Sequence, residues 1–444
     1  MTTTHADLGT NVELPPPASP LRRAFKHPRL MHYNRLAALV LAANLVPLAY
    51  GLGAGGWWTR GGVDLRALSY AALANVALAV IVRQQYVINL FFWIATRPPT
   101  SWPLKIRWTL GKVYHFGGMH VGGTVAGTLW FLALVGGLTH HAARDLGGGA
   151  TAGTLAVSYA LVGLLAAMVV TALPPLRAKH HDVFERTHRF AGWAVLALFW
   201  AQTILFARAT GQDLATAPSV WVLSVITFSI ALPWLRLRRV PVVLDRPSSH
   251  VVLAHFDHGV TPFAGSSTAV SRNPLLEWHS FANVPSPGRS GFRLTISRAG
   301  DWTGSFIDDM PSHVWVKGIT TAGVANIETL FTKVVYVATG SGIGPCLPHL
   351  LAQEVPARLV WSARRHRETF GDALLDEILS VQPDAVLWDT ADRGKPDMVR
   401  LAYQAYEEFG AEAVICISNK KLTWQVVQGM ERRGIPAFGA IWDS

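Results

Sequence analysis

Six long apolar segments in the first 239 residues constrain the fold of this chain more than any other feature. They cover residues 36–52, 68–94, 118–138, 155–173, 190–206 and 220–235. Each is close to the roughly 20 residues that an α-helix needs to cross a bilayer. Only 15% of the 444 residues are charged, whereas soluble domains carry about a quarter. We therefore predict a six-helix transmembrane bundle within residues 35–239.

The distribution of positive charge predicts the orientation of this bundle. The formal net charge is +11. Lys and Arg are concentrated in residues 1–34, in the second and fourth loops and after the last span. By the positive-inside rule, both termini are cytosolic in a multi-pass protein of the plasma (inner) membrane, with residues 1–34 as a cytosolic tail. The sequence has no RNA- or DNA-binding motif, so we expect a lipid bilayer and no nucleic acid as partner.

The pattern changes after Arg239 from long apolar segments to short runs. Residues 240–328 contain alternating runs separated by Gly, Pro and Ser, which is typical of a small antiparallel β-barrel. From residue 329 to 444, apolar strands alternate with helical segments, which predicts an α/β domain with a parallel sheet.

A glycine cluster interrupts the first strand-to-helix connection of the α/β domain. The apolar run that starts at Val334 ends there, and a helical pattern follows. Such a turn lets an anion approach backbone amides at a helix N-terminus, although a plain strand-to-helix turn has the same pattern. The candidate nucleotide-binding residues are Thr339, Gly340, Ser341, Gly342, Ile343, Gly344 and Pro345.

Three histidines lie at similar depth near the cytosolic ends of two predicted spans. His115 and His120 open the third span, and His188 opens the fifth. Two helices could thus offer axial imidazoles to one haem b, although single interfacial histidines are common. A second haem would need histidines about 13 or 14 residues further along the same faces. Those positions hold other residues, so we expect at most one haem and no complete path across the membrane.

Several motifs carry a resemblance to a known superfamily. Residues 276–285 (LEWHSFANVP) and 299–303 (AGDWT) are similar to the flavin-binding segments of the NADPH oxidase and ferric reductase superfamily. Residues 416–421 (CISNKK) and 438–444 (FGAIWDS) resemble more closely the TmpA-type integral membrane flavoproteins. The resemblance implies a ferric reductase-like six-helix bundle followed by a ferredoxin-NADP reductase-like module. This module would contain an FAD-binding barrel (240–328) and an NAD(P)-binding α/β domain (329–444).

The resemblance also implies roles for individual residues around the flavin. His279 would lie near the FAD phosphates or ring edge, and Phe281 against the isoalloxazine. Ala282 stands where the family usually has a hydroxyl donor toward flavin N5. The pyrophosphate would be held by Gly300, Asp301, Trp302 and Thr303, with Ser297 or Arg298 nearby. Alternatively, Trp302 is a core aromatic residue.

Two further positions are implied near the nicotinamide. Cys416 matches the family cysteine at the end of a strand, but Ile417 replaces the glycine that usually follows it. Trp442 is the candidate aromatic residue that covers the flavin, unless it is simply a strand residue. At the end of the second strand, Ser362, Arg364, Arg365 and Arg367 could pair with a 2′-phosphate, which favours NADPH over NADH. Alternatively, these residues form a solvent-exposed basic loop that binds no phosphate, since such a loop would have a similar sequence.

Together these features predict a membrane-bound flavoprotein oxidoreductase. Electrons would pass from NAD(P)H through FAD, and through at most one inner haem, to an acceptor at the cytosolic face or in the membrane. The acceptor would be a quinone, a lipid-soluble metabolite or a protein. Two alternatives remain: a flavin- and nucleotide-binding sensor or scaffold without turnover, which Ala282 and Ile417 favour, and a metalloreductase.

Overall fold

Residues 12–17, 19, 27, 30–59, 61–285 and 290–440 are described by a computed structural model of the chain. They belong to two units that alternate along the sequence. The helical unit contains residues 32–84 and 115–235. The sheet unit contains residues 85–114 and 236–440, together with the described residues up to Met31. The boundaries predicted at residues 35, 240 and 329 stay predictions.

Ten α-helices and one short hairpin make up the described chain up to residue 235. Their bounds are α1 His32–Ala43, α2 Leu45–Leu52, β1 Trp58–Thr59, β2 Gly62–Val63, α3 Leu65–Ile81, α4 Gln85–Ala95, α5 Leu104–Leu110, α6 Gly117–Ala143, α7 Ala152–Ala172, α8 Pro174–Lys179, α9 His181–Ala209 and α10 Pro218–Leu235. A 3₁₀ turn, Val113–Phe116, precedes α6. Helices α4 and α5 fall in the sheet unit and the others in the helical unit.

Five helical segments of the described chain are long and apolar enough to cross a bilayer. They are residues 32–52, 113–143, 152–172, 181–209 and 218–235. The number rises to six if α3 and α4 are counted together as one span. These segments coincide with the predicted spans, while the crossing of a membrane itself stays a prediction.

The predicted second span, residues 68–94, is not one continuous helix. Helix α3 ends at Ile81, and α4 begins at Gln85 after a break of three residues. Arg83 and Gln84 lie in this break. The polar side chains therefore follow the end of the apolar helix α3, and no charge lies at the centre of that helix. Within the sheet unit, the Asn89 side chain of α4 donates to Thr320 O and accepts from Ala322 N, both at 2.9 Å. The second half of the predicted span therefore packs on protein.

Small residues and a polar pair hold the helical unit together. A Cβ on Gly118 of α6 would lie 2.0 Å from Tyr33 O, and one on Gly123 would lie 2.9 Å from Asn75 O. Glycine at these positions lets α6 approach α1 and α3 closely. The side chains of Asn44 and Asn75 exchange hydrogen bonds of 2.9 and 2.7 Å, which satisfies both amides inside the bundle.

An antiparallel sheet of eight strands starts the C-terminal part of the sheet unit. The strands are β3 Leu237–Pro241, β4 Val243–Asp245, β5 Val251–Phe256, β6 Ser266–Ser271, β7 His279–Pro285, β8 Phe292–Ser297, β9 His313–Lys317 and β10 Thr321–Ala322. Their order is β3-β9-β6-β7-β8-β5-β4, with β10 paired to β6. Helix α11, Asp301–Asp309, adds Phe306 and Ile307 to the apolar core of this sheet. The predicted antiparallel β-structure is confirmed; β6 and β7 are strands that periodicity did not reveal.

A parallel α/β domain follows, as predicted. Its five strands are β11 Val334–Thr339, β12 Ala357–Ala363, β13 Val386–Asp389, β14 Ala413–Ile417 and β15 Ala437–Phe438. The helices are α12 Ile343–Ala352, α13 His366–Phe370, α14 Asp372–Val381, α15 Thr390–Arg393, α16 Met398–Phe409 and α17 Lys420–Glu431. The strand order is β13-β12-β11-β14-β15, all parallel, so the direction of winding reverses between β11 and β14.

Candidate functional site

The glycine cluster forms a tight turn between β11 and α12. Gly340 has a φ of +50°, which favours glycine, and its carbonyl accepts a 3.0 Å hydrogen bond from Trp361 Nε1. A Cβ on Gly342 would lie 2.0 Å from Ile417 O. Only glycine fits there, because the turn passes directly against the end of β14. All seven candidate residues from Thr339 to Pro345 belong to this strand, turn and first helical turn.

The turn lies at the reversal point of the parallel sheet. In open α/β sheets, ligands bind outside the carboxyl ends of the strands where the winding reverses. Here those ends are Thr339 of β11 and Ser418, which directly follows β14. Their hydroxyl groups are hydrogen-bonded to each other. Both the turn and the topology therefore fit a bound dinucleotide, with its phosphates at the N-terminus of α12.

Three arginines follow β12, and two of them are paired with carboxylates. Arg365 lies 3.1 Å from Glu368, and Arg367 lies 2.9 Å from both Asp372 and Asp376. Arg364 is exposed and makes no ion pair with any described residue. Ser362 is buried at the end of β12. Arg364 is therefore the cation most accessible to an anionic group at this edge.

Cys416 lies inside the α/β domain. Its side chain is fully buried and belongs to the core that contains Val337 and Val426. Burial raises the pKa of the thiol to about 12, although a hydrogen bond with Thr423 opposes the rise. Its implied contact with the nicotinamide stays a prediction, and the partly exposed residues beyond it are Ile417 and Ser418. Trp442 lies outside the described residues.

The predicted flavin-binding residues of β7 and α11 come together. The rings of His279 and Trp302 are stacked, with centroids 4.0 Å apart, and Phe281 lies 6.2 Å from Trp302. Trp302 also stacks on Phe306 and packs against the apolar core. His279 Nε2 lies 3.1 Å from a Glu277 carboxylate oxygen. These contacts form one aromatic cluster at the start of α11.

The predicted pyrophosphate-binding groups at this helix end are engaged within the fold. The amides of Ala299 and Gly300 donate to Thr303 Oγ1 at 2.9 and 3.1 Å. Arg298 donates to both carboxylate oxygens of Asp308, at 3.0 and 2.6 Å. A phosphate at this position would have to replace these partners. Asp301, the first residue of α11, is exposed.

Two hydroxyl groups lie on the neighbouring strand β8, and only one of them, Ser297, is among the residues predicted from the sequence. Thr295 and Ser297 alternate with the core residues Leu294 and Ile296, so they point away from the apolar core of the antiparallel sheet. Both hydroxyl groups are buried and have no hydrogen-bond partner among the described residues. Only the register reveals Thr295, because it belongs to no motif.

Thr295 occupies the same face of the sheet as Ala282. Asn283 is paired with Leu294, so the residues on either side of this pair, Ala282 and Thr295, point to the opposite face. A Cβ on Gly344 of α12 would lie 3.5 Å from Thr295 Cβ. Thr295 thus presents a hydroxyl group beside the dinucleotide turn, where Ala282 has none.

Three buried polar atoms near the predicted flavin-binding residues bear on whether FAD fits this site. Trp302 Nε1, Thr295 Oγ1 and Ser297 Oγ are buried polar atoms without partners among the described residues. Buried polar groups in native proteins are nearly always hydrogen-bonded. A polar ligand beside Thr295 and Ser297 would satisfy their two hydroxyl groups, and in this respect the residues present fit a flavin nucleotide.

In the helical unit, two of the three candidate haem ligands lie together. The rings of His120 and His188 have centroids 6.2 Å apart. Two imidazoles bound to one metal ion would have centroids about 6 Å apart, since each nitrogen lies about 2 Å from the metal. His120 Nδ1 donates to Ala79 O at 2.8 Å, which leaves Nε2 as the potential ligand. The ring of His115 instead lies 5.8 Å from that of His32.

Comparison with known proteins gives relatives named as reductases. Residues 324–444 match the family model "Adenylate-forming reductase 03009, C-terminal domain". Adenylate-forming reductase 03009 of Coprinopsis cinerea is 44% identical over 433 residues, which is 96% of this chain and 41% of that protein. Adenylate-forming reductase 06235 of the same fungus is 42% identical and covers 95% of this chain and 41% of its own length. The chain thus spans about two-fifths of these relatives.

Solved structures resemble the fold more distantly. A ferredoxin NADP⁺ reductase from Neisseria gonorrhoeae with bound FAD and NADP has a TM-score of 0.37 and 12% identity. It covers 46% of this chain and 98% of its own. A flavohemoglobin from Malassezia yamatoensis with bound FAD and heme has a TM-score of 0.41 and 16% identity, and covers 84% of this chain and 99% of its own. Shared function does not follow at such values. None of these four proteins is named as an NADPH oxidase, ferric reductase or TmpA-type protein, so that resemblance stays a prediction.

Proposed function

We propose that this chain is an NAD(P)H-dependent flavoprotein oxidoreductase. The observation that carries the proposal is the contact between Gly342 and the end of β14 at the reversal point of the parallel sheet. This is the arrangement in which an open α/β sheet binds a dinucleotide. The residues concerned lie within the segment 324–444, which matches a domain of a protein named as a reductase.

The chain's own groups would bind and orient the nucleotide. The amides at the start of α12 face the pyrophosphate position, and the two hydroxyl groups of Thr339 and Ser418 lie between the two central strands. Arg364 supplies a cation at the end of β12 for a 2′-phosphate. This arrangement favours NADPH over NADH, since a guanidinium forms charge-assisted hydrogen bonds with phosphate.

The flavin would be held where the antiparallel sheet meets α12. His279, Phe281 and Trp302 contribute the aromatic cluster, while Thr295 and Ser297 contribute unpartnered hydroxyl groups. When bound, FAD accepts a hydride and returns electrons singly, and the protein supplies position and electrostatics. The hydroxyl group of Thr295 could take the place of the donor that Ala282 lacks.

We also propose that the helical unit lies in a membrane, with both termini cytosolic, and that His120 and His188 would hold one haem. Five apolar segments of sufficient length and the spacing of the two imidazoles support this. The acceptor would lie at the cytosolic face or within the bilayer and would be a quinone, a lipid-soluble metabolite or a protein. The relatives' name combines adenylate formation with reduction, and we assign this chain to the reducing part.

The test is an anaerobic titration of the detergent-purified chain, reconstituted with FAD, with NADPH and separately with NADH. We expect the flavin absorbance to be lost with NADPH at lower concentrations than with NADH. A chain that binds flavin but is not reduced by either nucleotide would contradict the enzyme and favour a sensor or scaffold. A chain that binds no flavin would contradict the proposal entirely.

A further inference from the structure

Helices α4 and α5 and the segment between them carry exposed apolar side chains. Leu90, Trp93 and Ile94 of α4 are 49%, 54% and 55% exposed, and their spacing places them on one side of the helix. Trp102, just before α5, and Ile106 within it are 46% and 44% exposed. These five residues, called here the outer face, belong to the sheet unit although they follow a predicted membrane span.

The opposite side of α4 is fixed to the sheet unit. Ile88, Phe92 and Ala95 are buried. Asn89 binds the backbone of Thr320 and Ala322 through two hydrogen bonds of 2.9 Å. Because the opposite side of α4 is packed against the sheet unit, the outer face stays exposed. An exposed apolar surface of this kind is typical of an interaction site.

The charge of this segment is one-sided. Residues 85–114 contain four basic residues and no Asp or Glu. Two of them, Arg107 and Lys112, are bound to Glu412 and Glu431 of the α/β domain. Arg97 and Lys105 are exposed. The Arg97 guanidinium lies 4.2 Å from the centroid of Trp93, beside the outer face.

We propose that α4 and α5 lie in the plane of the membrane interface and bind anionic lipid headgroups. Exposed tryptophans next to basic residues, without acidic ones, are the composition of interfacial helices, which bury their apolar side about 5–10 Å into the headgroup and acyl boundary. Arg97 and Lys105 face the phosphates. The sheet unit is thereby attached to the inner leaflet through its own surface.

Sequence continuity supports lipid as the occupant. Helix α4 begins after a break of three residues that follows α3, an apolar helix of 17 residues. At 1.5 Å per residue, α3 alone covers about 26 Å, which is close to the thickness of the hydrocarbon core. The chain therefore needs no part of α4 to complete this crossing. The inference rests on the proposed location of the helical unit in a membrane.

Spin labels on the full chain in phosphatidylcholine–phosphatidylserine vesicles test the proposal. Labels are placed at Leu90→Cys, Ile94→Cys and Ile106→Cys, with Asp384→Cys, whose side chain is 81% exposed, as the aqueous control. A fifth label at Leu129→Cys, on the exposed side of α6, tests the membrane location separately. The native Cys346 and Cys416 are fully buried, so they do not react.

Accessibility to oxygen and to a water-soluble nickel chelate gives the depth of each label. We expect positions 90, 94 and 106 at the same shallow depth in lipid, and 384 in water. A label at 90 that lies about 6 Å deeper than the one at 94 would indicate a spanning helix and overturn the proposal. Shielding from both reagents would indicate a protein surface, including a second copy of this chain, and would also overturn it.

The remaining outcomes separate this inference from the proposed membrane location. If 90, 94 and 106 are aqueous while 129 is in lipid, the in-plane helices are wrong and the membrane location stands. If 129 is also aqueous, both fail. The double substitution Arg97→Glu and Lys105→Glu should lower the oxygen-to-nickel accessibility ratio at 94 severalfold, whereas Lys105→Arg should not. An unchanged ratio in the double variant would exclude headgroup binding by these two residues.

Discussion

Arg107 and Glu412, which are 305 residues apart in the sequence, form a bidentate ion pair in the sheet unit. Arg107 Nη1 donates to Glu412 Oε2 at 2.7 Å, and Nη2 donates to Oε1 at 3.1 Å. Arg107 also donates to the carbonyl groups of Leu330 and Trp102, both at 2.7 Å. The segment that links two predicted spans is thus built into the start of the α/β domain.

The substitution Arg107→Met should destabilise the sheet unit. The arginine side chain is 5% exposed, and its loss removes one donor from Glu412 and from each of two carbonyl groups. Breaking one side of a buried pair costs about 3–5 kcal/mol, and we expect about 2–3 kcal/mol because Glu412 is 26% exposed. The measurement is the Tm in detergent. Arg400→Met is the control, because the side chains of the Arg400–Asp397 pair are 43% and 53% exposed and the pair should contribute little. Equal Tm shifts would contradict the assignment.

The same pair predicts a pH dependence of stability. Hydrogen bonds from Arg107 lower the pKa of Glu412 against the opposing effect of burial, and the Thr332 amide adds to the lowering. A lowered pKa in the folded state stabilises the protein above the unfolded value of about 4.3. This contribution is lost as the pH falls through the folded pKa. The Tm of the wild type should therefore decline more steeply than that of Glu412→Gln between about pH 5 and pH 3; parallel declines would contradict the prediction.

Much of the α/β domain could be predicted because its signals are local. Apolar runs near 334, 357, 386 and 413 alternate with helical segments, and the glycine cluster at 340–344 marks the first turn. The structure has strands at all four runs and a helix start at Ile343. Local periodicity is enough here, since each strand of a parallel sheet is a short apolar run bounded by turns.

What could not be predicted depends on partners that are distant in the sequence. The hydropathy of residues 68–94 predicts a single span. The local sequence does not show that the Asn89 side chain is hydrogen-bonded to the backbone near residue 321. Thr295 belongs to no motif, and its position beside α12 follows only from strand register. The Arg107–Glu412 pair is equally invisible in a single sequence.

The substitution Gly342→Ala should weaken nucleotide binding. Its Cβ would lie 2.0 Å from Ile417 O, so the turn or the end of β14 must move and the Thr339–Ser418 hydrogen bond is disturbed. We expect at least about a tenfold loss of NADPH affinity with unchanged flavin content, equivalent to about 1.4 kcal/mol. Gly163→Ala is the matched control, because nothing lies within 4 Å of the added Cβ. If both variants keep wild-type affinity, this turn is not the binding site.

The substitution Arg364→Gln should change the choice between nucleotides. Arg364 is exposed and makes no ion pair among the described residues, whereas Arg367 is held by Asp372 and Asp376. A hydrogen bond to a charged group contributes about 1.5–3 kcal/mol, so the KM for NADPH should rise at least about tenfold. The KM for NADH should stay constant, and Arg367→Gln should alter neither. An equal rise for both nucleotides would show that Arg364 does not contact the 2′-phosphate.

The helical unit predicts which histidines a haem would need. His120 and His188 have the ring spacing of two ligands on one metal, while His115 contacts His32. In the visible spectrum of the detergent-purified protein, His120→Ala and His188→Ala should each abolish the Soret band, and His115→Ala should retain it. Loss of the band in His115→Ala but not in His120→Ala would assign the other ligand pair. Absence of the band from the wild type would mean that the contact between His120 and His188 is packing alone, and electrons would then have to leave the sheet unit directly.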